Sequence, residues 1–224
     1  MPKRIKMKGP LIPNNSQEAY DYFGMEAVSA KSIADAFPED NSDIVLEVNS
    51  NGGLVTVGSE IYTALKSYPG HVTVEVTGMA ASAASVAIMG ADKVLISPTA
   101  QIMIHKALFH WVSGNSDDLD KASNALKASD QAIVNAYVAK TGLSEEEILD
   151  MMKNETFMSA STAVEKGFAD EVMTFDDVGA VASLESGLLP QAVIDDFYAN
   201  RSKRKSEIEN MLREIEKEEI LQGL

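Results

Sequence analysis

The chain has 224 residues, of which 45% are hydrophobic and 24% are charged, and this composition is ordinary for a globular protein with its own core. The formal net charge of -15 argues against nucleic acid or an anionic membrane as a partner. The absence of cysteine excludes disulfides, a thiolate nucleophile and cysteine-ligated zinc. Because no apolar segment has the length of a signal-peptide core or a membrane span, we expect a cytoplasmic protein.

Strands and helices alternate in the first half of the chain. The apolar pattern predicts, in order, a strand at 5–12, a helix at 27–37, a strand at 43–48, a helix around 57–65, and strands at 71–76, 93–96 and 102–104. This alternation is typical of right-handed crossovers in a mostly parallel α/β sheet. One long amphipathic helix is predicted at 116–141, a second helix from Ser144, and a short one at 161–166.

The composition changes after Asp177. Residues 178–190 are small and loop-like, whereas residues 191–221 have a helical pattern with mixed charge and few large apolar side chains. We therefore predict one domain at residues 1–177 and a charged, largely helical tail at residues 178–224.

Ser82 stands where a strand ends, a glycine turns the chain and a helix begins, in the segment Gly-Met-Ala-Ala-Ser that starts at Gly78. A serine at such an elbow lies near the unpaired N–H groups of the first helical turn, which can hold an oxyanion. The same pattern also fits an N-cap serine in an alanine-rich helix. His105, at the end of a predicted strand, should emerge near this elbow, although a histidine there can also be purely structural.

The turn at Gly52 and Gly53 lies between a strand and a helix and can expose backbone N–H groups to a carbonyl oxygen. A phosphate loop is excluded because the Gly-Lys-Ser/Thr ending is missing.

Four segments, in this order, resemble the ClpP family of Clp protease proteolytic subunits. They are Asn-Ser-Asn-Gly-Gly at 49–53, Gly-Met-Ala-Ala-Ser at 78–82, Met-Ile-His at 103–105 and Gly-Phe-Ala-Asp at 167–170. The resemblance implies a serine endopeptidase with Ser82 as nucleophile, His105 as general base and Asp170 orienting the histidine, with the N–H groups of Gly53 and Ala83 as oxyanion hole. Asp170 is selected only by the family pattern, because the sequence offers 34 acidic residues.

The resemblance also implies an α/β fold of the ClpP/crotonase type, a spiral of β-β-α units with a protruding helical handle at about residues 111–153. It implies homo-oligomeric rings that enclose a chamber, and polypeptide substrates. Nothing in the sequence suggests a metal or an organic cofactor, and we expect ATP to enter only through a partner unfoldase of the Clp type, if one docks.

Two substitutions separate the chain from the usual family pattern. Asn51 replaces a proline, and Lys106-Ala107 replaces a Gln-Pro pair after the histidine. Together with the tail, they fit either a phage head-maturation protease that cleaves capsid or scaffold proteins, or a bacterial paralogue. The alternatives are a crotonase-type acyl-CoA enzyme, against which the serine–histidine pair counts, and a non-catalytic ring or scaffold subunit.

Overall fold

Seven strands form a single sheet in the computed structural model of the protein, which describes residues 1–175. The predicted tail at residues 178–224 lies outside the described residues. The strands are β1 Lys3–Lys8, β2 Ile44–Ser50, β3 Val72–Ala81, β4 Lys93–Ile96, β5 Gln101–Ile104, β6 Thr156–Ser159 and β7 Glu171–Val172. The helices are a 3-10 turn at Asn14–Ser16, α1 Gln17–Tyr22, α2 Ala30–Asp35, α3 Val55–Ser67, α4 Ala83–Ile88, α5 Ser116–Thr141, α6 Glu145–Lys153 and α7 Ala160–Glu165.

The strand order along the sheet is β1-β2-β3-β4-β7, and every neighbouring pair in this order is parallel. Parallel neighbours require crossover connections, and helices supply most of them here. The predicted α/β architecture of the ClpP type, with a mostly parallel sheet, is therefore confirmed.

Strand β3 changes partner halfway along its length. Residues 73–76 pair with β4, whereas residues 79–81 pair with β5. At the change, the register against β2 shifts and the Asn49 side chain accepts a hydrogen bond from the Met79 N–H at 3.1 Å. This irregularity leads the chain out of the central sheet and directly to Ser82.

The 3-10 turn, α1 and β6 were not predicted from the sequence, and one predicted strand is shorter than expected. Helix α1 has no buried residue, and in β6 only Met158 is buried, so neither has the apolar periodicity on which a prediction depends. Strand β1 ends at Lys8 rather than at residue 12 because Gly9 and Pro10 interrupt it.

Helix α5 is solvent-exposed over its first half and packs into the core over its second half, through Ile133, Val134 and Tyr137. It begins at the side-chain cap of Asn115 and ends at Gly142, whose φ of 73° is left-handed. Of the helices in residues 1–175, none is long and apolar enough to cross a membrane.

Candidate active site

Ser82 lies at a sharp turn between β3 and α4. Its φ of 54° and ψ of -128° are unusual for a residue other than glycine, and such strain is often found at functional sites. Its N–H donates to the carbonyl of Met103 at 2.9 Å. Ser82 occupies the N-cap position of α4, but its side chain makes no capping hydrogen bond, so the alternative interpretation of this side chain as a helix cap is wrong.

His105 lies one residue beyond the end of β5, and its Nε2 is 2.7 Å from the Ser82 hydroxyl oxygen. The two side chains meet because β3 pairs with β5, and the Ser82–Met103 backbone bond continues that pairing into the elbow. The imidazole is mostly enclosed, with a side-chain exposure of 17%. In the tautomer with its proton on Nδ1, Nε2 can accept the hydroxyl proton of Ser82.

Glu155 is the carboxylate that the structure brings to the other side of His105. Its Oε1 lies 3.9 Å from Nδ1, and its side chain is 69% exposed. The antiparallel register pairs Ile104 with Thr156, so the residue before Thr156 lies beside the residue after Ile104. Glu155 also has a positive φ, of 47°.

Sequence reasoning missed Glu155 because its position depends on β6, which was not predicted. The available signal was weak: an acidic residue directly between the end of α6 and a four-residue strand.

The structure does not bring Asp170 to His105. Asp170 Oδ2 accepts hydrogen bonds from the Val94 N–H at 2.6 Å and from Lys140 Nζ at 2.8 Å, and no hydrogen bond or ion pair joins Asp170 to His105. The reason is topological. Asp170 enters β7, which pairs with β4, whereas His105 follows β5, which pairs with β3 and β6.

The turn at Gly52 and Gly53 packs tightly against the elbow. A Cβ atom on Gly52 would lie 2.8 Å from the Cβ of Ser82 and 2.9 Å from the Ala83 nitrogen. Within residues 1–175, the Gly53 N–H donates no hydrogen bond, and Ala83 is in the first helical turn, whose N–H groups have no acceptor inside the helix. Within the described residues, both predicted oxyanion donors are therefore unpaired. Ala83 directly follows Ser82, and Gly53 directly follows Gly52, which packs against the elbow.

Ser82 and His105 open into a cleft of about 820 Å³. A cleft of this size holds several residues of an extended peptide, and its wall is mainly apolar. The apolar side chains that line it are Leu11, Ile12, Pro13, Leu54, Val55, Met103, Ala107, Leu108, Phe109 and Leu126.

A strained elbow serine bonded to a histidine, on an α/β scaffold, defines the class of serine-type hydrolases. The sequence matches the Clp protease family over residues 26–176. It is 32% identical over 168 residues to the ATP-dependent Clp protease proteolytic subunit 1 of Chlamydia muridarum. The aligned region covers 70% of this chain and 88% of that protein. The protein of the same name from Chlamydia abortus is 31% identical, and the alignment covers 75% of this chain and 94% of that protein. The one from Streptomyces avermitilis is 30% identical, and the alignment covers 73% of this chain and 76% of that protein.

The chain belongs to the Clp protease family. The predictions of ClpP-family membership and of a serine-type endopeptidase are therefore confirmed.

Proposed function

We propose that the protein hydrolyses peptide bonds of polypeptide substrates through an acyl-enzyme on Ser82, with His105 as general base and Glu155 as the carboxylate that orients it. The observation that carries this proposal is the 2.7 Å contact between the Ser82 hydroxyl and His105 Nε2 at a strained elbow. A nucleophile and a base within hydrogen-bond reach are the geometric signature of this chemistry.

In the first half-reaction, Ser82 Oγ attacks the carbonyl carbon of the scissile bond and its proton passes to His105 Nε2. The oxyanion that forms accepts hydrogen bonds from the N–H groups of Gly53 and Ala83. His105 then delivers the proton to the leaving amine, and the acyl group stays on Ser82. In the second half-reaction, water attacks the ester carbonyl while His105 takes its proton and returns one to Ser82.

Glu155 supports His105 from the opposite side. Its carboxylate fixes the proton on Nδ1 and stabilises the imidazolium that forms during attack. The separation of 3.9 Å is longer than a hydrogen bond, but catalytic hydrogen bonds are often long without substrate, and the exposed Glu155 side chain has room to approach. Asp170 could take the same role only if its bonds to Lys140 and Val94 broke, so we assign the role to Glu155.

The related proteins are named as proteolytic subunits of an ATP-dependent protease. On this basis we propose that the chain works in homo-oligomeric rings around a chamber, and that an ATPase partner delivers unfolded chains. The protein itself then needs no cofactor, because side chains and backbone supply every catalytic group. A role in phage head maturation, on capsid or scaffold proteins, stays a prediction from the sequence.

The proposal is tested by labelling the full chain with a fluorophosphonate, locating the adduct by mass spectrometry, and measuring hydrolysis of a fluorogenic peptide. We expect the adduct on Ser82. Ser82→Ala should abolish labelling and lower kcat by about 10⁴-fold or more. An unlabelled Ser82, or hydrolysis that persists in Ser82→Ala, contradicts the assignment and favours a non-catalytic subunit or an acyl-CoA enzyme.

Glu155→Gln and Asp170→Asn form a matched pair that separates the two carboxylates. We expect Glu155→Gln to lower kcat by about 10²-fold or more, because Nδ1 loses its anionic partner. Asp170→Asn should leave kcat within about threefold of wild type and lower the melting temperature, because the Lys140 ion pair is lost. The reverse pattern would return the orienting role to Asp170.

A further inference from the structure

One face of α5 holds two buried polar side chains, Asp130 and Tyr137, with exposures of 8% and 1%. They are seven residues apart, which is two helical turns, so they lie on the same side of the helix. We propose that this face of α5 positions both catalytic side chains, through the backbone of Ser82 and through the chain that leaves His105. The inference rests on the proposed function, in which Ser82 and His105 do the chemistry.

Tyr137 acts on Ser82 through Ser85. Ser85 Oγ lies 2.6 Å from the carbonyl oxygen of Ser82 and 2.7 Å from the Tyr137 hydroxyl. A serine hydroxyl has a single hydrogen, and Ser85 donates it to Ser82, so the Tyr137 hydroxyl donates to Ser85. Burial raises the pKa of Tyr137 well above its ordinary value of 10.0, which keeps the phenol protonated and able to donate.

Three donors thereby converge on one carbonyl. Besides the Ser85 hydroxyl, the N–H groups of Ser85 and Val86 point to the Ser82 oxygen at 3.0 and 3.3 Å. A backbone conformation as strained as that of Ser82 persists only where its surroundings hold it. The Tyr137–Ser85 pair therefore fixes the direction in which the Ser82 side chain leaves the elbow.

Asp130 acts on the other half of the catalytic pair. Its Oδ1 accepts a hydrogen bond from the Ala107 N–H at 2.8 Å, two residues after His105. Between Lys106 and Gly114, no backbone–backbone hydrogen bond is found in the described part of the chain. Asp130 also forms an ion pair with Lys106, at 3.8 Å between Nζ and Oδ2, so its carboxylate makes two contacts with the chain as it leaves His105.

The distribution of buried polar residues favours positioning over simple packing. A buried polar group lowers the stability of the folded state unless it is hydrogen-bonded. Where a position only needs to be packed, an apolar residue therefore gives the more stable fold. Besides Tyr137, five polar or charged residues are buried within residues 1–175, and three of these five bond to backbone around the site. They are Ser85, Asp130 and Ser50, whose hydroxyl oxygen accepts from the Gly52 N–H at 3.1 Å.

The test uses the full chain and compares Tyr137→Phe, Ser85→Ala, Asp130→Ala and Asp130→Asn with wild type. The measurements are the rate of fluorophosphonate labelling at Ser82, kcat and KM for a fluorogenic peptide, and the melting temperature. Tyr137→Phe, Ser85→Ala and Asp130→Ala should each lower kcat and the labelling rate by about tenfold or more, because they misplace catalytic groups. KM should change little in Tyr137→Phe and Ser85→Ala, whereas Asp130→Ala should also raise KM because it releases the cleft-lining segment that starts at Ala107. Asp130→Asn keeps an acceptor oxygen and should stay within about threefold of wild type.

Two controls remove comparable hydrogen bonds elsewhere. Tyr68→Phe loses the 2.7 Å bond to the Ser42 carbonyl, and Asp92→Ala loses the 2.8 Å bond from the Val72 N–H. Both should lower the melting temperature and leave kcat unchanged.

The inference is overturned if Tyr137→Phe, Ser85→Ala and Asp130→Ala lose no more activity than the controls, or if Asp130→Asn is as slow as Asp130→Ala. It is also overturned if the loss falls on KM alone. If Tyr137→Phe is unfolded, Ser85→Ala still tests the contact to Ser82. If Asp130→Ala is unfolded, Asp130→Leu, which removes the acceptor oxygens and keeps a side chain of similar size, tests the contact to the segment after His105, and a wild-type kcat in Asp130→Leu overturns that part of the inference. If the wild-type protein is not labelled at Ser82, both the proposed function and the inference are contradicted. If the wild-type protein is labelled and the variants keep its rates, only the inference is contradicted.

Discussion

At the scale of single residues, Ser82 and His105 differ from Glu155 in how the fold places them. Ser82 follows a strand and precedes a helix, and His105 follows a strand, so apolar patterns in the sequence were enough to put both at one edge of the sheet. Glu155 is placed by its neighbour in an antiparallel pairing whose strand has one buried residue. No local sequence pattern predicts such a pairing. Only the family pattern was therefore available to select the acidic residue, and that pattern pointed to Asp170.

Gly52 supports a prediction at the same scale. A Cβ there would lie 2.6 Å from the Ala81 carbonyl and 2.8 Å from the Ser82 Cβ, and its φ is +91°. We expect Gly52→Ala to push the turn away from the elbow and to lower the labelling rate of Ser82 by about 10²-fold, as when an oxyanion donor is lost.

Gly142→Ala is the matched control for Gly52→Ala. Gly142 also has a positive φ, of +73°, but a Cβ there would meet nothing within 4 Å. This control should lose about 1 kcal/mol of stability from backbone strain and keep the wild-type labelling rate. Equal labelling rates in both variants would contradict the role given to the turn.

At the scale of secondary-structure elements, the sequence predicted the long, periodic segments best. Helix α5 matches its predicted bounds because a capping asparagine and a left-handed glycine mark both ends. Strand β3 ends five residues beyond the predicted end at residue 76. Residues 77–81 lack the apolar alternation of a strand, and it is near these residues that the pairing partner of β3 changes from β4 to β5. The site is built at that exchange, so the part of the fold that matters most for chemistry had the weakest sequence signal.

Strands β1, β2 and β3 support a stability prediction with a defined pH dependence. Arg4 on β1 forms ion pairs with Glu47 on β2, at 2.7 Å, and with Glu75 on β3. The Arg4 guanidinium lowers the pKa of Glu47 from its ordinary value of 4.5, so the pair contributes stability above pH 4.5 that is lost as the pH falls through the lowered pKa.

Arg4→Met should therefore lower the free energy of unfolding at pH 7 by about 0.5–1 kcal/mol, since Arg4 is half exposed. Denaturant unfolding at pH 7 and at pH 3 measures the effect, and the difference from wild type should shrink at pH 3. A difference that is unchanged between these pH values would show that Arg4 acts by packing its methylene groups instead.

At the scale of the whole molecule, the exposed apolar side chains between Leu108 and Leu119 are the main feature of the surface near the cleft. Contiguous exposed apolar side chains mark interaction sites, and we propose this stretch as a contact surface within the proposed rings. The members with large exposed side chains are Leu108, Phe109, Trp111, Val112 and Leu119.

Trp111 is the single tryptophan of the sequence and is 94% exposed, so it reports on this surface. If the proposed rings cover the stretch, its fluorescence maximum should move to shorter wavelengths as light scattering shows the mass rising above that of one 24.1 kDa chain. Assembled protein that keeps the emission of a water-exposed indole would contradict burial of this surface in the rings.

The way the three proposed catalytic groups are held determines which of them can change over evolutionary time. Ser82 and His105 are brought together by main-chain hydrogen bonds between β3, β5 and the elbow, which do not depend on the identity of the neighbouring side chains. Glu155 stands on an exposed connection. Its N–H donates to the Met152 carbonyl at 3.3 Å, but within residues 1–175 its carboxylate approaches no basic group other than His105. A lineage can therefore exchange this acid for another, or move it by a residue, without rebuilding the core, whereas the serine and histidine have no such freedom.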